Sequence, residues 1–240
     1  MKHTKFWRKI SYWKKVICRQ EIYFHQQAKA KCDWVGTTYG GFYVVRNLLT
    51  KDSIVYSFGV GEDISFDLVL IEQYGLNVYA FDPTPLAIEF VKKMQNPLHS
   101  FSHPSTIGRF HFESVGIGDK DEVTKFYLSE DERDISGSII DKNDNADSIE
   151  VEMKKISTLM KELNHTRIDL LKMDIEGSEY AVLENMLDEK IFPKQILVEF
   201  HHRFSQIGLN ETKDIVQKLN NAGYKIAKIS DSGLEYTFLL

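Results

Sequence analysis

The sequence predicts a doubly wound α/β fold with a mostly parallel, seven-stranded sheet. Short β-branched or apolar runs alternate with helical periods from residue 54 onward. A glycine-containing turn, Gly59-Val60-Gly61, follows the first of these runs. The chain ends on two strand-like runs around Asp231-Ser232-Gly233, a hairpin that places one antiparallel strand in the sheet.

The elements follow in order. Ile54–Phe58 reads as a strand, and 62–73 as a helix with Ile64, Leu68 and Ile71 on one face. Asn77–Phe81 is the second strand. The helix 85–94 begins at Thr84 and Pro85, which suit the cap and first turn. Residues 110–117 read as a third strand. Residues 122–128 and 149–155 read as extra strands around a stretch, 129–148, rich in Asp, Ser and Asn. A short helix over 156–163 leads to a fourth core strand, 168–173, and a helix over 178–187. Residues 195–200 are the fifth strand, and the helix 211–222 stops at Gly223. Residues 224–230 and 235–240 complete the sheet. Residues 35–240 therefore form one domain, with 1–34 as a basic amphipathic helical extension.

Composition narrows the function classes. With 240 residues, 42% of them hydrophobic, the chain can bury a full core without disulfides or metal. Two cysteines make neither a disulfide framework nor a zinc site, and point to a reducing, cytoplasmic setting. No apolar run reaches the roughly 18 residues that span a bilayer, and no apolar signal segment opens the chain. A net charge of -5 argues against a nucleic-acid partner. That charge is uneven: seven Lys and Arg lie in residues 1–20, and no acid precedes Glu21. Phe6, Ile10, Trp13 and Ile17 form an apolar stripe at helical spacing. Residues 1–24 could contact an anionic membrane surface peripherally; the bland reading, which we favour at this point, packs the stripe on the enzyme's own cleft or on a partner subunit.

The glycine turn and Asp82, at the end of the second strand, suit an adenosine group: the glycines allow close approach, and the carboxylate faces ribose hydroxyls. A dinucleotide fingerprint needs a third glycine where Ile64 stands. Glu62 and Asp63 would repel a pyrophosphate but suit a sulfonium cation. These residues favour S-adenosylmethionine over a nicotinamide cofactor.

Four runs then carry a resemblance: Gly59-Val-Gly-Glu-Asp63, Phe81-Asp-Pro-Thr-Pro85, Asp169-Leu-Leu-Lys-Met-Asp-Ile-Glu-Gly-Ser-Glu179 and Val198-Glu-Phe-His201. In this order they resemble the FkbM-type methyltransferases, over about residues 35–240, and Asp169–Glu179 is the most specific run. The resemblance implies the class I methyltransferase (Rossmann-like) fold, S-adenosylmethionine as donor, and O-methylation of sugar or polyketide hydroxyls. It aligns Asp82 with the family's ribose acid and Gly59 with its first glycine. The chain departs at Ser57, where the family usually has Asp, and at Asp63, where many members have a glycine. Tyr39-Gly40-Gly41 also looks like a family subgroup and is placed to close over the donor. In this fold the loop after the third strand borders the adenine, which makes Ile117 and Asp119 contacts.

At the acceptor end, Lys172 and Asp174 share one strand face, and Glu199 and His201 share another. Both strand ends open beside the glycine turn. His201 is the first choice of general base, since free imidazole titrates at about 6.5, and Asp174 is the second. Lys172 reads as an ion-pair partner. The alternative is a divalent metal held by Asp174, Glu176, Glu199 and His201; the main reading assigns no metal. Glu176 and Glu179 are expected simply to favour the N-terminus of the following helix. His202 and Arg203 are expected at the surface. The expected acceptor is a small-molecule or glycan hydroxyl. An amine or protein acceptor, and a non-catalytic binding module of the same fold, are the alternatives.

Overall fold

The computed structural model describes residues 12–18, 21–96, 104–128, 137–138 and 148–240. Helix α1 covers residues 12–17, and residues 21–32 follow as an irregular strap. A two-stranded antiparallel ribbon, β1 (Asp33–Val35) and β2 (Phe42–Val44), precedes the domain proper. The chain continues as β3 (Ile54–Phe58), α2 (Ser65–Tyr74), β4 (Asn77–Phe81), α3 (Pro85–Gln95) and α4 (Pro104–Ile107). Next come β5 (Phe110–Glu113), β6 (Gly116–Ile117), β7 (Glu122–Leu128), β8 (Gly137–Ser138) and β9 (Ser148–Lys154). Then follow α5 (Ile156–Glu162), β10 (Leu170–Met173), α6 (Glu179–Asp188) and β11 (Gln195–Glu199). Helix α7 (Leu209–Asn221) and the hairpin β12 (Lys225–Ile229) and β13 (Glu235–Leu239) end the fold.

The main sheet runs β12-β13-β11-β10-β3-β4-β5. Counting its strands along the chain, the spatial order is 3-2-1-4-5-7-6, with the last-formed strand antiparallel. This is the order of the class I methyltransferase fold that the resemblance implied. The order reverses between β3 and β10, so their carboxyl ends open a crevice.

Side-chain alternation explains the layers. Tyr56 and Phe58 of β3 join Leu171, Met173, Ile196 and Val198 in one core, covered by α5, α6 and α7. Val55 joins Val78, Leu170 and Leu197 in the other, beneath α2 and α3. Central strands buried on both faces cannot show a polar alternation, which is why they read as apolar runs. Thr84 caps α3, its hydroxyl oxygen accepting from Ala87 N at 3.3 Å. Gly75 ends α2 in the left-handed region at φ 64°.

Three expectations are corrected. The third strand breaks after Glu113, because Gly116–Ile117 leaves the main sheet to pair with β9 in a small sheet ordered β6-β9-β7-β8. The first helix starts at Ser65, so Glu62 and Asp63 precede it; Asp63 Oδ1 accepts from Ser65 N at 2.8 Å. The extension expected to be helical over 1–34 is helical at 12–17 only, among its described residues. Its strap instead uses the sheet edge: Gln27 N and Ala28 N donate to Ile226 O at 2.7 and 3.0 Å. Phe6 and Ile10 lie outside the described residues.

Candidate active site

A cleft of about 380 Å³ lies at the carboxyl ends of β3, β4, β10 and β11. That volume is in the range of small-molecule sites. Its floor is the glycine turn. Gly59 has φ 73°, and a Cβ there would lie 1.6 Å from the carbonyl oxygen of Asp174. Only glycine allows the loops after β3 and β10 to cross this closely. Gly61 has φ 51° and open space around it.

Two charges brace the turn. Lys172, buried, donates to the carbonyl oxygens of Phe58, at 3.3 Å, and Gly59. Asp82 Oδ2 accepts from the amides of Val60 and Gly61, each at 2.9 Å. Its Oδ1 accepts from Thr84 N at 2.9 Å and from Thr84 Oγ1 at 2.6 Å. Four donors fill the carboxylate's lone pairs. Asp82 lines the cleft, as expected of a ribose acid, but its work in this structure is to shape the turn. The amides that a pyrophosphate would need are thus already answered by a carboxylate. Lys172 likewise acts on the turn rather than on a reacting group. Asp67 lies fully buried in α2 near Lys172. Burial pushes its carboxyl up to about 6 against the opposing pull of Lys172 and a Ser57 hydrogen bond.

The turn is roofed from upstream. Asp63 Oδ2 accepts from the Thr37 hydroxyl, whose oxygen in turn accepts from Tyr39 N and Gly40 N at 3.2 and 3.1 Å. Burial raises the Asp63 carboxyl, yet the Ser65, Thr37 and Gly40 hydrogen bonds hold it below its usual value. Tyr39 lines the mouth and is 81% exposed. Gly41 does not reach the cleft: a Cβ there would meet Thr37 O at 2.4 Å and the Trp34 ring at 2.6 Å, so this glycine serves the fold of the roof. Glu62 lines the cleft and is exposed. Ile117, Phe126 and Met153 supply an apolar wall from the small sheet, beside Pro83. Asp119 is exposed and outside the lining, because the chain turns outward after Ile117.

The other half of the cleft is acidic. Asp174, Glu176, Glu199 and Glu235 line it with His201 and Ser232. Glu199 and Glu235 are direct partners across β11 and β13. Glu176 takes φ 53°, a left-handed conformation uncommon for a residue with a side chain. Glu179 is fully buried; its oxygens accept from Ile175 N at 3.0 Å and Gly177 N at 3.0 and 3.2 Å. It also holds His201 Nδ1 at 2.8 Å. His201 Nε2 then faces Asp174 and Glu176 at 3.7 and 3.6 Å.

This geometry corrects the assignment of the base. Burial lowers the imidazole's affinity for a proton, but Glu179, through its charge and hydrogen bond, with Asp174 and Glu176, raises it to about 10. These acids favour the imidazolium form, which has no lone pair to accept a proton. Burial, with Asp174 and Glu235, pushes Glu199 up to about 8, while burial also raises Asp174. Of the two, Glu199 is held near the range a base needs around neutral pH.

The metal alternative also changes. Among the described residues, Asp174, Glu179 and His201 offer possible ligand atoms within 4.8 Å of one another. Glu179 in that group already accepts from the imidazole and from the amides of Ile175 and Gly177.

His202 and Arg203 are not simple surface residues. His202 is buried, and its Nε2 meets Glu21 Oε1. Arg203 Nε and Nη2 donate to Glu21 Oε2, the former at 2.8 Å, and Nη2 also donates to Ser232 O at 2.8 Å. Burial raises the Glu21 carboxyl, but hydrogen bonds from His202 and Arg203 outweigh it and hold it below its usual value. Sequence reasoning missed Glu21, Ser232 and Glu235, and the role of Glu179. Glu21 carried a signal, as the first acid after a basic stretch; Glu235 did not, since its relation to Glu199 exists only through strand register.

Comparison with known proteins agrees with the motifs. The family model described as the methyltransferase FkbM domain matches residues 41–226. Probable methyltransferase-like protein 24 from Homo sapiens is 24% identical over 162 residues, which is 67% of this chain and 36% of that protein. The Rattus norvegicus protein of the same name gives the same figures, 24% over 162 residues. The chain thus spans about a third of the length of these curated relatives. Among solved structures, the Methanococcus jannaschii fibrillarin pre-rRNA processing protein aligns with a TM-score of 0.47 at 9% identity, over 91% of this chain and 85% of that one. An rRNA methylase from Streptococcus thermophilus aligns with a TM-score of 0.40 at 11% identity, over 80% and 87%. With the family model covering most of the domain and the four motifs gathered around one cleft, the chain belongs to the FkbM-domain methyltransferase family.

Proposed function

We propose that the protein transfers a methyl group from S-adenosylmethionine to a hydroxyl oxygen of a polyhydroxylated acceptor, a sugar, glycan or polyketide-like molecule. One observation carries this reading: a glycine turn whose amides are spent on Asp82 opens directly onto a wall of four carboxylates. A phosphate-bearing cofactor finds no free anion site at the turn, whereas a cationic sulfonium suits its acidic surroundings.

The residues fit that donor. Gly59, Gly61 and Glu62 would hold its methionine end, Asp82 would act on its sugar side by fixing the turn's amides, and Ile117, Phe126 and Met153 would offer an apolar surface to the base. Bound there, S-adenosylmethionine supplies a methyl carbon already activated by the positive sulfur. The chain's own residues align the acceptor and take its proton. Asp174, Glu176 and Glu235 accept hydrogen bonds from hydroxyl groups, and alignment of this kind is worth about 7 kcal/mol or more. Glu199 takes the proton of the attacking hydroxyl as the carbon–oxygen bond forms and the sulfur–carbon bond breaks. His201, held by Glu179, sets its Nε2 beside Asp174 and Glu176. The same acidic wall would seat an ammonium group, so an amine acceptor is the second reading.

Isothermal titration with S-adenosylmethionine, S-adenosylhomocysteine and NAD tests the donor. The two sulfur ligands should bind and NAD should not. Binding of NAD alone would overturn the proposal. Acceptor class is then read from release of S-adenosylhomocysteine with a polyol and with an amine offered in parallel.

A further inference from the structure

The basic amino-terminal stretch is a feature that the proposed reaction leaves unused. Helix α1 meets the body of the protein through Tyr12, which is 8% exposed. The ring lies over Gly233, where a Cβ would approach it to 2.3 Å, and the hydroxyl donates to Ile22 O at 2.7 Å. The helix is therefore seated by the side that bears Tyr12, not by the apolar stripe. Trp13 and Ile17, four residues apart, face outward at 40% and 78% exposure. Tyr23 from the strap stands against Trp13, ring centroids 4.9 Å apart, and is itself 43% exposed. Lys14 is exposed beside them. Neither described residue of the stripe, Trp13 or Ile17, lines the protein's own cleft, which leaves a partner subunit or a membrane as the surface it meets.

We infer that this face docks on an anionic membrane surface. Charge decides the partner. The chain as a whole carries -5, yet its first twenty residues hold seven Lys and Arg and no acid. A protein groove would need an equally one-sided acidic counterpart, while an anionic bilayer provides one at every point of contact. The residue types agree: Trp and Tyr with one aliphatic side chain, ringed by lysine, are the composition of an element that lies in the headgroup layer. Among the described residues no helix is long and apolar enough to cross a membrane, so the contact is peripheral.

Co-sedimentation of the full chain with vesicles tests this. The two lipid preparations are pure phosphatidylcholine and phosphatidylcholine containing about one-third phosphatidylglycerol. At low salt the chain should bind the anionic vesicles at least about tenfold more tightly than the neutral ones. Raising the salt to about 0.5 M should release it. The pairs Trp13→Ala with Ile17→Ala, and Lys14→Glu with Lys15→Glu, should each weaken binding about tenfold or more. Both pairs should keep the parent melting temperature, since Trp13, Lys14 and Ile17 are exposed and Lys15 is only half-buried. Equal binding to both lipids, or no vesicle binding, would overturn the proposal. So would concentration-dependent self-association that the Trp13 and Ile17 changes abolish, which would make the face a protein contact.

Discussion

A methyl group added at Gly59 would lie 1.6 Å from the carbonyl oxygen of Asp174, with the backbone at φ 73°. Gly59→Ala should therefore cost about 2–4 kcal/mol of stability and displace the turn. Gly61→Ala, with open space around it, should cost only about 1 kcal/mol. Urea denaturation of the two variants makes the comparison, and equal costs would refute the close crossing. At Glu199 the sign of the pH effect follows from its task. A base works when ionised, and this carboxyl titrates at about 8, so turnover should rise as pH rises through about 8. Glu199→Gln should lower turnover about 10²–10⁴-fold and remove that rise; a retained rise would dismiss Glu199 as the base. The shift also bears on stability. The folded value lies above the ordinary 4.5, so Glu199's contribution is greatest below 4.5 and declines as pH climbs to about 8. Reading the site at this scale from sequence placed Lys172 and Asp174 together because they sit two residues apart at one strand end, and the structure has both in the cleft lining. It failed for His201, whose titration is set by Glu179. That acid lies at the start of α6 and meets the imidazole only through the fold.

At the scale of elements, the strap is joined to the segment after β11 by Glu21, His202 and Arg203. The carboxylate and imidazole side chains are fully inaccessible, while Arg203 keeps 34% exposure. Removing the shared acid leaves the buried His202 imidazole and the Arg203 guanidinium without their acceptor. Glu21→Ala should destabilise the protein by about 3 kcal/mol in denaturant titration, and Arg203→Ala by less. An unchanged midpoint for Glu21→Ala would show that the strap is not anchored there. Elements differ in how far periodicity exposes them. Residues 54–58 and 77–81 matched to the residue, because β-branched and aromatic runs between turn signals have little else to become. The three-residue strands 33–35 and 42–44 went unread, being too short to show a period. The break after residue 113 was equally hidden, since β6 stays apolar while changing sheets.

For the whole molecule, the legible part was the alternation of strand and helix, which fixes a parallel sheet covered on both faces. The closing hairpin was legible too, from Asp231-Ser232-Gly233. Strand order was not available from periodicity; the resemblance named only the fold type, and the order is seen in the structure. What no pattern could supply was the assembly of the cleft's acidic wall, contributed by the segment after β10, the end of β11 and the start of β13. The crossing of Gly59 under Asp174 has a kinetic meaning for the proposed reaction. Because the floor of the donor half and the first residue of the acceptor half share one rigid contact, neither substrate has to build the other's seat. Order of arrival is left to the rim, where Tyr39 stands, so steady-state patterns that shift from ordered toward random when that tyrosine is shortened would locate the gate.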